Sequence, residues 1–331
     1  MIDLPSSILH PLSPLLATGL VPPFDFHRVI VEPWTGGFSM TIWVVLMGAL
    51  VGTACGLVGN YLLLRRMALV GDAISHSILP GLVVAFMIFR TVNTPIMFAG
   101  ALGAGLLTVA IIEFIQKQTR VKVDAAICIA FTSLFALGVT LVSAAEAGGP
   151  VHVDADCVLY GEIALVPFDP PFVLGGIELG PPPVLRMAVV TLVLAVGIFV
   201  FYKELLLTSF DPGLSRSMGL RTTVWHYGLM IALSLVVVSA FESVGAILAV
   251  AMLIVPAMFA AQLSARLPMR LLLTTLHAVA SAVAGYHLSV WLECSAAAAM
   301  VVCGAIFFAL AWGLTALARK TARMETVDAE P

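Results

Sequence analysis

Charged side chains are scarce in this chain. Asp, Glu, Lys and Arg make up 11% of its 331 residues, against about 25% in soluble domains. Hydrophobic residues make up 61%, so a soluble fold would have too little polar surface to stay in solution. The composition therefore argues against a soluble protein and favours several membrane-spanning helices of about 20 residues each.

Several motifs are also missing. The five cysteines form no C-x-x-C pair, which excludes zinc-finger and thioredoxin-type sites. There is no basic footprint for nucleic acid, and no G-x-x-x-x-G-K-[ST] phosphate loop, so the chain cannot itself be an ATPase of the phosphate-loop type. The N-terminus lacks the basic region of a signal peptide. What remains is a membrane protein without these sites.

Apolar runs predict an all-α, polytopic membrane protein with about nine transmembrane helices. The sixth and seventh predicted spans share residues 227–262, which are few for two full spans and predict a tight hairpin or a broken helix. Glu242, near the middle of that stretch, lies either at an outer turn or inside the membrane facing a path. The predicted spans are 41–64, 67–89, 95–116, 124–145, 184–206, 224–240, 243–264, 271–291 and 295–318.

The distribution of lysine and arginine predicts the orientation. If the loop at Arg65 and Arg66 is cytoplasmic and the spans alternate, only Arg28, Arg90 and Arg186 lie outside. The other 13 of the 16 basic residues then lie inside, a strong positive-inside bias. The N-terminus is therefore expected outside and the C-terminus in the cytoplasm.

Three regions follow from these spans. We expect residues 1–39, which six prolines interrupt, to form an extracytoplasmic extension, residues 40–318 one transmembrane domain, and residues 319–331 a cytoplasmic tail. The outer connection 146–183 is acidic. It could attract cations or meet a binding protein, or it could be a solvated loop, and His152, Asp154 and Asp156 are candidate metal ligands within it.

An acid and a histidine lie inside the second predicted span. Asp72 and His76 are four residues apart and share one helix face, and carboxylate with imidazole is a usual ligand set for divalent transition metals. Ser75 adds a hydroxyl, and Pro80 and Gly81 predict a bend in the helix. Ionisable groups in a membrane are costly and mark functional sites, so the pattern favours a cation path. The alternative is a buried Asp–His pair that only holds helices together.

The inner connection 207–222 predicts a short capped helix. Asp211 is a natural N-cap before Pro212 at the first helical position, and Gly219 can end the helix in a left-handed conformation. Without further information this is an ordinary interfacial helix or a grip for a separate motor. The residues singled out in it are Phe210, Asp211, Pro212, Arg216, Gly219 and Leu220.

A few other ionisable residues lie within or beside the spans. Glu113 and Lys117 are four apart near an inner boundary and are expected to form a local pair. His226, His277 and His287 each stand alone in the sequence, which is typical of a satisfied core or interfacial histidine.

The run LRRMALVGDAISHSILPG at 64–81 resembles the signature of the membrane permeases of ABC importers for zinc, manganese or iron. Weaker likenesses to the same family are DAAI at 124–127, KELL at 203–206 with FDP at 210–212 and MGL at 218–220, and SVGAIL at 243–248 with LIVPA at 253–257. The resemblance covers about residues 40–318. The N-terminal extension and the long outer loop depart from a minimal family member.

The resemblance implies a permease of the vitamin-B12 and metal-importer type in a bacterial cytoplasmic membrane. It implies that Asp72 and His76 lie on the metal path and that 207–222 couples to a cytoplasmic ABC ATPase, which carries the ATP. It also implies an extracytoplasmic metal-binding protein and a second permease copy, identical or paralogous. No permanently bound cofactor is expected. The metal is manganese, zinc or iron, and an oxygen–nitrogen pair without thiolate favours manganese.

Two other transport functions stay open at this point. A secondary transporter could use Asp72 and His76 as a proton relay and would need no ATPase. A related ABC permease could carry a siderophore or cobalamin, although so bulky a ligand has less use for an Asp–His pair.

The orientation is directly testable. A reporter fused after Arg323 should be cytoplasmic, because the basic bias places the C-terminus inside. In a background without native cysteines, Asp169→Cys should react with a membrane-impermeant thiol reagent added outside, whereas the control Arg66→Cys should not. A C-terminus outside the cytoplasm would contradict the nine-span arrangement.

Overall fold

The computed structural model of the chain describes residues 22–91, 93–147, 162–174 and 176–328. A π-helical turn, His27–Val31, and a one-turn helix, Glu32–Thr35, precede eleven further helices. These are α1 (Phe38–Leu64), α2 (Leu69–Phe89), α3 (Thr94–Gln118), α4 (Val123–Ala147), α5 (Pro182–Val200), α6 (Tyr202–Phe210), α7 (Pro212–Ser217), α8 (Thr222–Val244), α9 (Ala246–Leu263), α10 (Leu267–Leu292) and α11 (Ala296–Asp328).

Eight of the described helices are long and apolar enough to cross a membrane, namely α1 to α5, α8, α10 and α11. The shorter apolar helix α9 is the ninth. The predicted all-α, polytopic fold is therefore confirmed. The uncertain pair of spans is resolved as two helices, α8 and α9, that meet at Gly245, whose φ of +78° ends α8.

One predicted boundary is wrong. The fifth span was expected over 184–206, but α5 ends at Val200, and Tyr202 begins a separate helix, α6. The chain breaks where the sequence changes from apolar residues to Lys203 and Glu204. Helix α6 buries Leu205, Thr208 and Ser209, so the predicted inner connection 207–222 includes the end of α6 as well as α7.

The helices pack in two groups, which α8 joins and which also meet where α9 contacts α2. In one group α1 packs against α5, α9 and α10, and α11 covers α9 and α10. In the other, α2 packs against α3 and α4. Helix α8 contacts α1, α2, α3, α5 and α9. Movement of α8 relative to its neighbours would therefore be felt in both groups.

The outside of the bundle is apolar. Helix α5 carries a row of large side chains that are more than half exposed, at positions spaced three or four apart: Val189, Leu192, Val193, Val196 and Phe199. A soluble protein rarely exposes such a continuous apolar surface. The row agrees with a helix that faces lipid.

Segments outside the long helices also pack on the bundle. The chain before α1 holds the end of α10, since Trp291 Nε1 donates to the carbonyl of Pro22 at 2.9 Å and Arg28 pairs with Glu293 at 2.6 Å. A 3₁₀ helix, Ile163–Phe168, buries Ile163 against α1. A two-residue antiparallel ladder, Val173–Leu174 with Ile177–Glu178, leads back to α5.

Helices α2 and α3 cross in close backbone contact at two glycines. A Cβ added at Gly81 would overlap the carbonyl oxygen of Gly100 and the Cβ of Ala104. A Cβ at Gly100 would meet the carbonyl oxygen of Gly81 and the Cβ of Ala85. Small residues let membrane helices approach in this way, so the glycines fix how α2 is seated.

Gly100→Ala should therefore lower the thermal stability of the detergent-purified protein, at a cost of about 1–3 kcal/mol for overpacking. Gly103→Ala is the matched control one turn further along α3, because an added Cβ there has nothing within 4 Å. Equal unfolding midpoints for the two variants would contradict the close crossing.

Candidate functional site

Asp72 and His76 lie together on one face of α2. His76 Nε2 is 3.4 Å from Asp72 Oδ1, and the side chains are 29% and 38% exposed, respectively. The ring of His76 also lies beside Phe131 and Phe135 of α4, with centroids 5.6 Å and 6.0 Å away. The pair is thus packed on its aromatic side and open on another. A cation can reach partly exposed ionisable groups beside these aromatic side chains. It could not reach a fully buried pair that only holds helices together.

Pro80 contributes to the same place through the backbone. It lies inside α2 and has no N–H, so the carbonyl of His76, four residues earlier, lacks its intrahelical donor. Helix α2 is nonetheless continuous from Leu69 to Phe89. Close packing of Gly138 of α4 against Pro80 supports the helix there. The predicted bend at Pro80 and Gly81 stays a prediction.

The opposite face of α2 is packed. Gly71 lies against Leu253 and Leu233, where an added Cβ would overlap the Leu253 side chain. Ser75 is 1% exposed and donates its hydroxyl to the carbonyl of Gly71 at 3.0 Å. Ser75 is therefore on the packed face, and its hydroxyl hydrogen is already committed. The structure brings Asp72 and His76 together and gives Ser75 a backbone partner instead.

Other candidate ligands cannot be compared with the pair. The side chain of Glu242 lies outside the described residues, although its backbone is in the last turn of α8. His152, Asp154 and Asp156 also lie outside them. Among the residues that the structure describes, no group of three or more His, Cys, Asp or Glu could hold a metal ion. Within this part of the chain, Asp72 and His76 supply two side-chain ligands.

The capped helix predicted in the inner connection is confirmed. Asp211 Oδ1 accepts the backbone N–H of Leu214 at 2.9 Å, and Pro212 begins α7. At the other end Gly219, with φ +83°, donates to the carbonyl of Arg216, and Leu220 donates to that of Ser215. This double pattern is a Schellman motif. It makes α7 a short rigid element at the end of α6.

The side chains at the surface of α7 are available to a partner. Phe210, just before the helix, is 57% exposed, and Leu214 and Met218 are also exposed. The Arg216 guanidinium turns back to the carbonyl of Pro212, with Nε at 3.1 Å. An apolar patch on a rigid, capped helix is a suitable docking surface for another protein.

All three isolated histidines have partners, as expected. His277 Nε2 lies 3.1 Å from the carbonyl of Gly304, and His287 accepts from Trp34 Nε1 at 3.1 Å. His226 differs only in having a charged partner, because its Nε2 lies 2.7 Å from Oε1 of Glu113. The two residues are 113 positions apart, so no local signal could have joined them.

The nine apolar helices of the described residues, eight of them long enough to cross a membrane, define a multispan membrane protein. The chain belongs to the ABC 3 transport family, whose profile matches residues 37–314. It is therefore a membrane permease of an ABC transporter.

Known proteins similar to the chain are named as membrane proteins of manganese or zinc transport systems. It is 42% identical over 274 residues to the manganese transport system membrane protein MntD of Bacillus subtilis, covering 83% of this chain and 92% of that one. It is 40% identical to the zinc transport system membrane protein TroD of Treponema pallidum, over 82% and 73% of the two chains. A solved structure of PsaBC from Streptococcus pneumoniae in complex with Fab matches with a TM-score of 0.70 and 31% identity, over 87% and 95% of the chains.

Gly219 allows a test of α7. An added Cβ there meets nothing within 4 Å, but the φ of +83° strains any residue with a side chain. Gly219→Val should therefore loosen the end of α7, weaken association with the partner ATPase and reduce transport, while the protein still inserts. Gly228→Val, on α8 and equally open, is the control. Wild-type ATPase pull-down and uptake in Gly219→Val would make α7 only a connector.

Proposed function

We propose that the chain imports a divalent transition metal across the bacterial cytoplasmic membrane and that Asp72 and His76 line the path of the ion. The observation that carries this proposal is the pair itself, which is partly exposed on a membrane helix with its two polar groups 3.4 Å apart. An unneutralised carboxylate in such a helix is costly. A passing cation would offset that cost.

The ligand set narrows the choice of transported metal. A carboxylate and an imidazole suit manganese, iron and zinc, and the pair contains no thiolate, which would favour softer metals. Relatives of the chain are named for manganese and for zinc. We place manganese first because the carboxylate oxygen is a hard ligand, and the carbonyl of His76 that Pro80 leaves without its donor would add another. Zinc is the second candidate.

Three partners complete the proposed importer. The ATP is bound by a separate cytoplasmic ABC ATPase, for which the rigid helix α7 with the exposed Phe210 offers a docking surface. The positive-inside bias supports a cytoplasmic position for this helix and for the C-terminus, and an outer position for the N-terminus. An extracytoplasmic metal-binding protein delivers the ion to the outer face. A second permease copy, identical or paralogous, completes the path, since two side-chain ligands do not fill the coordination sphere of a transition metal.

The geometry supports alternating access around α2. The ion exchanges its water for the Asp72 carboxylate, which offsets its charge, and for a nitrogen of His76, which must be unprotonated to bind. The aromatic wall of Phe131 and Phe135 excludes water on one side. ATP binding and hydrolysis on the partner move α7, and this movement opens the path to one side of the membrane at a time.

Membership of an ABC family argues against a proton-coupled secondary transporter. A permease for siderophores or cobalamin stays the second candidate within the fold. A structure described as a putative metal-chelate type ABC transporter matches with a TM-score of 0.61 at 17% identity, a likeness that concerns the fold alone. The small, charged Asp72–His76 pair favours the free ion over a bulky chelate.

Asp72→Asn and His76→Leu should each lower manganese uptake at least tenfold per inserted molecule. The first keeps the shape but removes the charge that offsets the ion, and the second keeps the bulk but removes the donor nitrogen. Uptake of radiolabelled manganese and zinc is measured in a knockout strain complemented with each variant, and it is normalised to membrane-inserted protein.

Asp169→Asn is the control, because it removes a carboxylate from an exposed outer segment and should leave uptake unchanged. If Asp72 and His76 only hold helices together, the variants will show less inserted protein but normal uptake per molecule. That pattern would end the claim that they line the path. Uptake of zinc without uptake of manganese by the wild-type protein would instead identify zinc as the transported metal.

A further inference from the structure

A polar cluster fills the inner end of the bundle, away from Asp72 and His76. It borders a cavity of about 470 Å³ between the end of α1, the last turns of α3, the end of α6 and the first turn of α8. The charged and aromatic residues beside the cavity are Arg65, Glu113, Lys117, His226 and Tyr227, together with the exposed Arg66. We call the first five, with Ser209, the Arg65 cluster. The proposed metal path uses none of them.

Arg65 joins the end of α1 to α6. Its Nε donates to Ser209 Oγ at 3.1 Å, and its Nη2 donates to Thr208 Oγ1 at 3.2 Å. Both hydroxyl residues are at most 7% exposed. Burial lowers the pKa of the Arg65 guanidinium from its usual value, as expected for a cation that has given up water for these contacts. The two acceptors are the residues immediately before Phe210 and α7.

Arg65 also fixes the tautomer of His226. Its Nη1 lies 3.3 Å from His226 Nδ1. A guanidinium has only donors, so Nδ1 must be the acceptor, and in the neutral ring the proton is on Nε2. Nε2 is the atom that lies 2.7 Å from Glu113 Oε1. The imidazole therefore connects Arg65 to the carboxylate of Glu113 through both of its nitrogens.

Glu113 is the fixed end of this connection. Its side chain is 10% exposed, and its other oxygen accepts from Lys117 Nζ at 2.8 Å and from the hydroxyl of Tyr227. Lys117 Nζ also lies 3.1 Å from that hydroxyl. The local Glu113–Lys117 pair expected from the sequence is thus part of a larger network, which ties α3 to α8 at their inner ends.

We propose that the Arg65 cluster is the joint that transmits movement of α6 and α7 to the transmembrane helices, with Arg65 as the positioning residue. The proposal rests on the proposed importer function. It identifies how α6 and α7 are connected to the helices of the path. Arg65 contacts α6 through two hydrogen bonds and α8 through a third, to His226. Through His226 it is linked to Glu113 of α3.

The position of Arg65 in the chain determines which helix the joint moves. Arg65 ends α1, and only Arg66, Met67 and Ala68 separate it from α2, which carries Asp72 in its first turn. When α6 shifts with α7, the guanidinium must either follow or lose buried hydrogen bonds, and a buried unsatisfied group is costly. Following moves the turn at which α2 begins. The joint therefore acts on Asp72 through α2 without touching the ion.

The first test measures coupling. In proteoliposomes of the full transporter, Arg65→Ala should keep ATPase association and ATP hydrolysis within twofold of wild type, because α7 keeps its own caps. The metal transported per ATP should fall at least tenfold. Arg66→Ala removes the neighbouring arginine, which borders the same cavity but is exposed, and it should leave that ratio unchanged. Arg65→Lys, which keeps the positive charge but only one donor nitrogen, should restore part of it. An unchanged ratio in Arg65→Ala would overturn the proposal.

The second test uses His226. His226→Gln keeps an acceptor and a donor and should retain at least half of the wild-type ratio of metal to ATP, whereas His226→Leu keeps bulk only and should resemble Arg65→Ala. A purely structural role predicts lower yields of folded transporter with a normal ratio in both variants. Equal ratios in the two variants would count against the relay through the imidazole.

The third test needs no metal transport. In a background without native cysteines, a non-hydrolysable ATP analogue should change the labelling rate of Leu69→Cys, at the start of α2, at least threefold in the assembled transporter. The change should be lost when Arg65→Ala is added. A change that persists would overturn the joint. Absent metal uptake in the unmodified transporter, with this labelling response intact, would overturn only the proposed importer function.

Discussion

The bilayer supplies no water to a polar group, and the rest of the structure depends on this constraint. Every backbone N–H and carbonyl in a span must find a partner inside the protein, which restricts the spanning part to helices. Almost every charged side chain must leave the span or be paired. Asp72 and His76 stay inside one as a pair, and their side chains remain 38% and 29% exposed. This exposed pair within a span is where we propose that the cation binds.

Keeping this pair open requires the rest of α2 to be held firmly. Glycines do so by close approach: Gly81 meets Gly100 of α3, Gly138 of α4 meets Pro80, and Gly71 meets Leu253. Because membrane helices gain little from excluding lipid, such contacts supply the packing that hydrophobic burial supplies in water. The small residues of the 64–81 run thus have a structural purpose beside the functional one. They seat the helix that presents the acid and the histidine.

At the inner end of the bundle, the rigid helix α7 is joined to movable helices by a different kind of contact. Helix α7 is fixed by its own caps, Asp211 at one end and Gly219 at the other. Its link to the bundle is made of long side chains instead, with Arg65 at the centre and the buried Glu113 at the far end. Hydrogen bonds of this kind can be exchanged as helices move, whereas close glycine contacts cannot. We therefore assign the rigid crossings around α2 to holding that helix in place, and the exchangeable contacts at α7 to transmitting its movement.

Local chemistry could be predicted from the sequence alone. Apolar length determined the spans, the spacing of four residues placed Asp72 beside His76 and Glu113 beside Lys117, and the Asp211-Pro212 and Gly219 signals determined both ends of α7, because each depends on residues within a few positions. The end of the fifth helix at Val200 escaped prediction, since Phe201 and Tyr202 extend the apolar run past it and leucines resume at Leu205, after Lys203 and Glu204. Only the tertiary structure decided which face of α2 is open and that His226, Arg65 and Glu113 meet. Such contacts join residues more than 100 positions apart, and they form only when packing between helices, which no periodicity encodes, fixes their relative rotation.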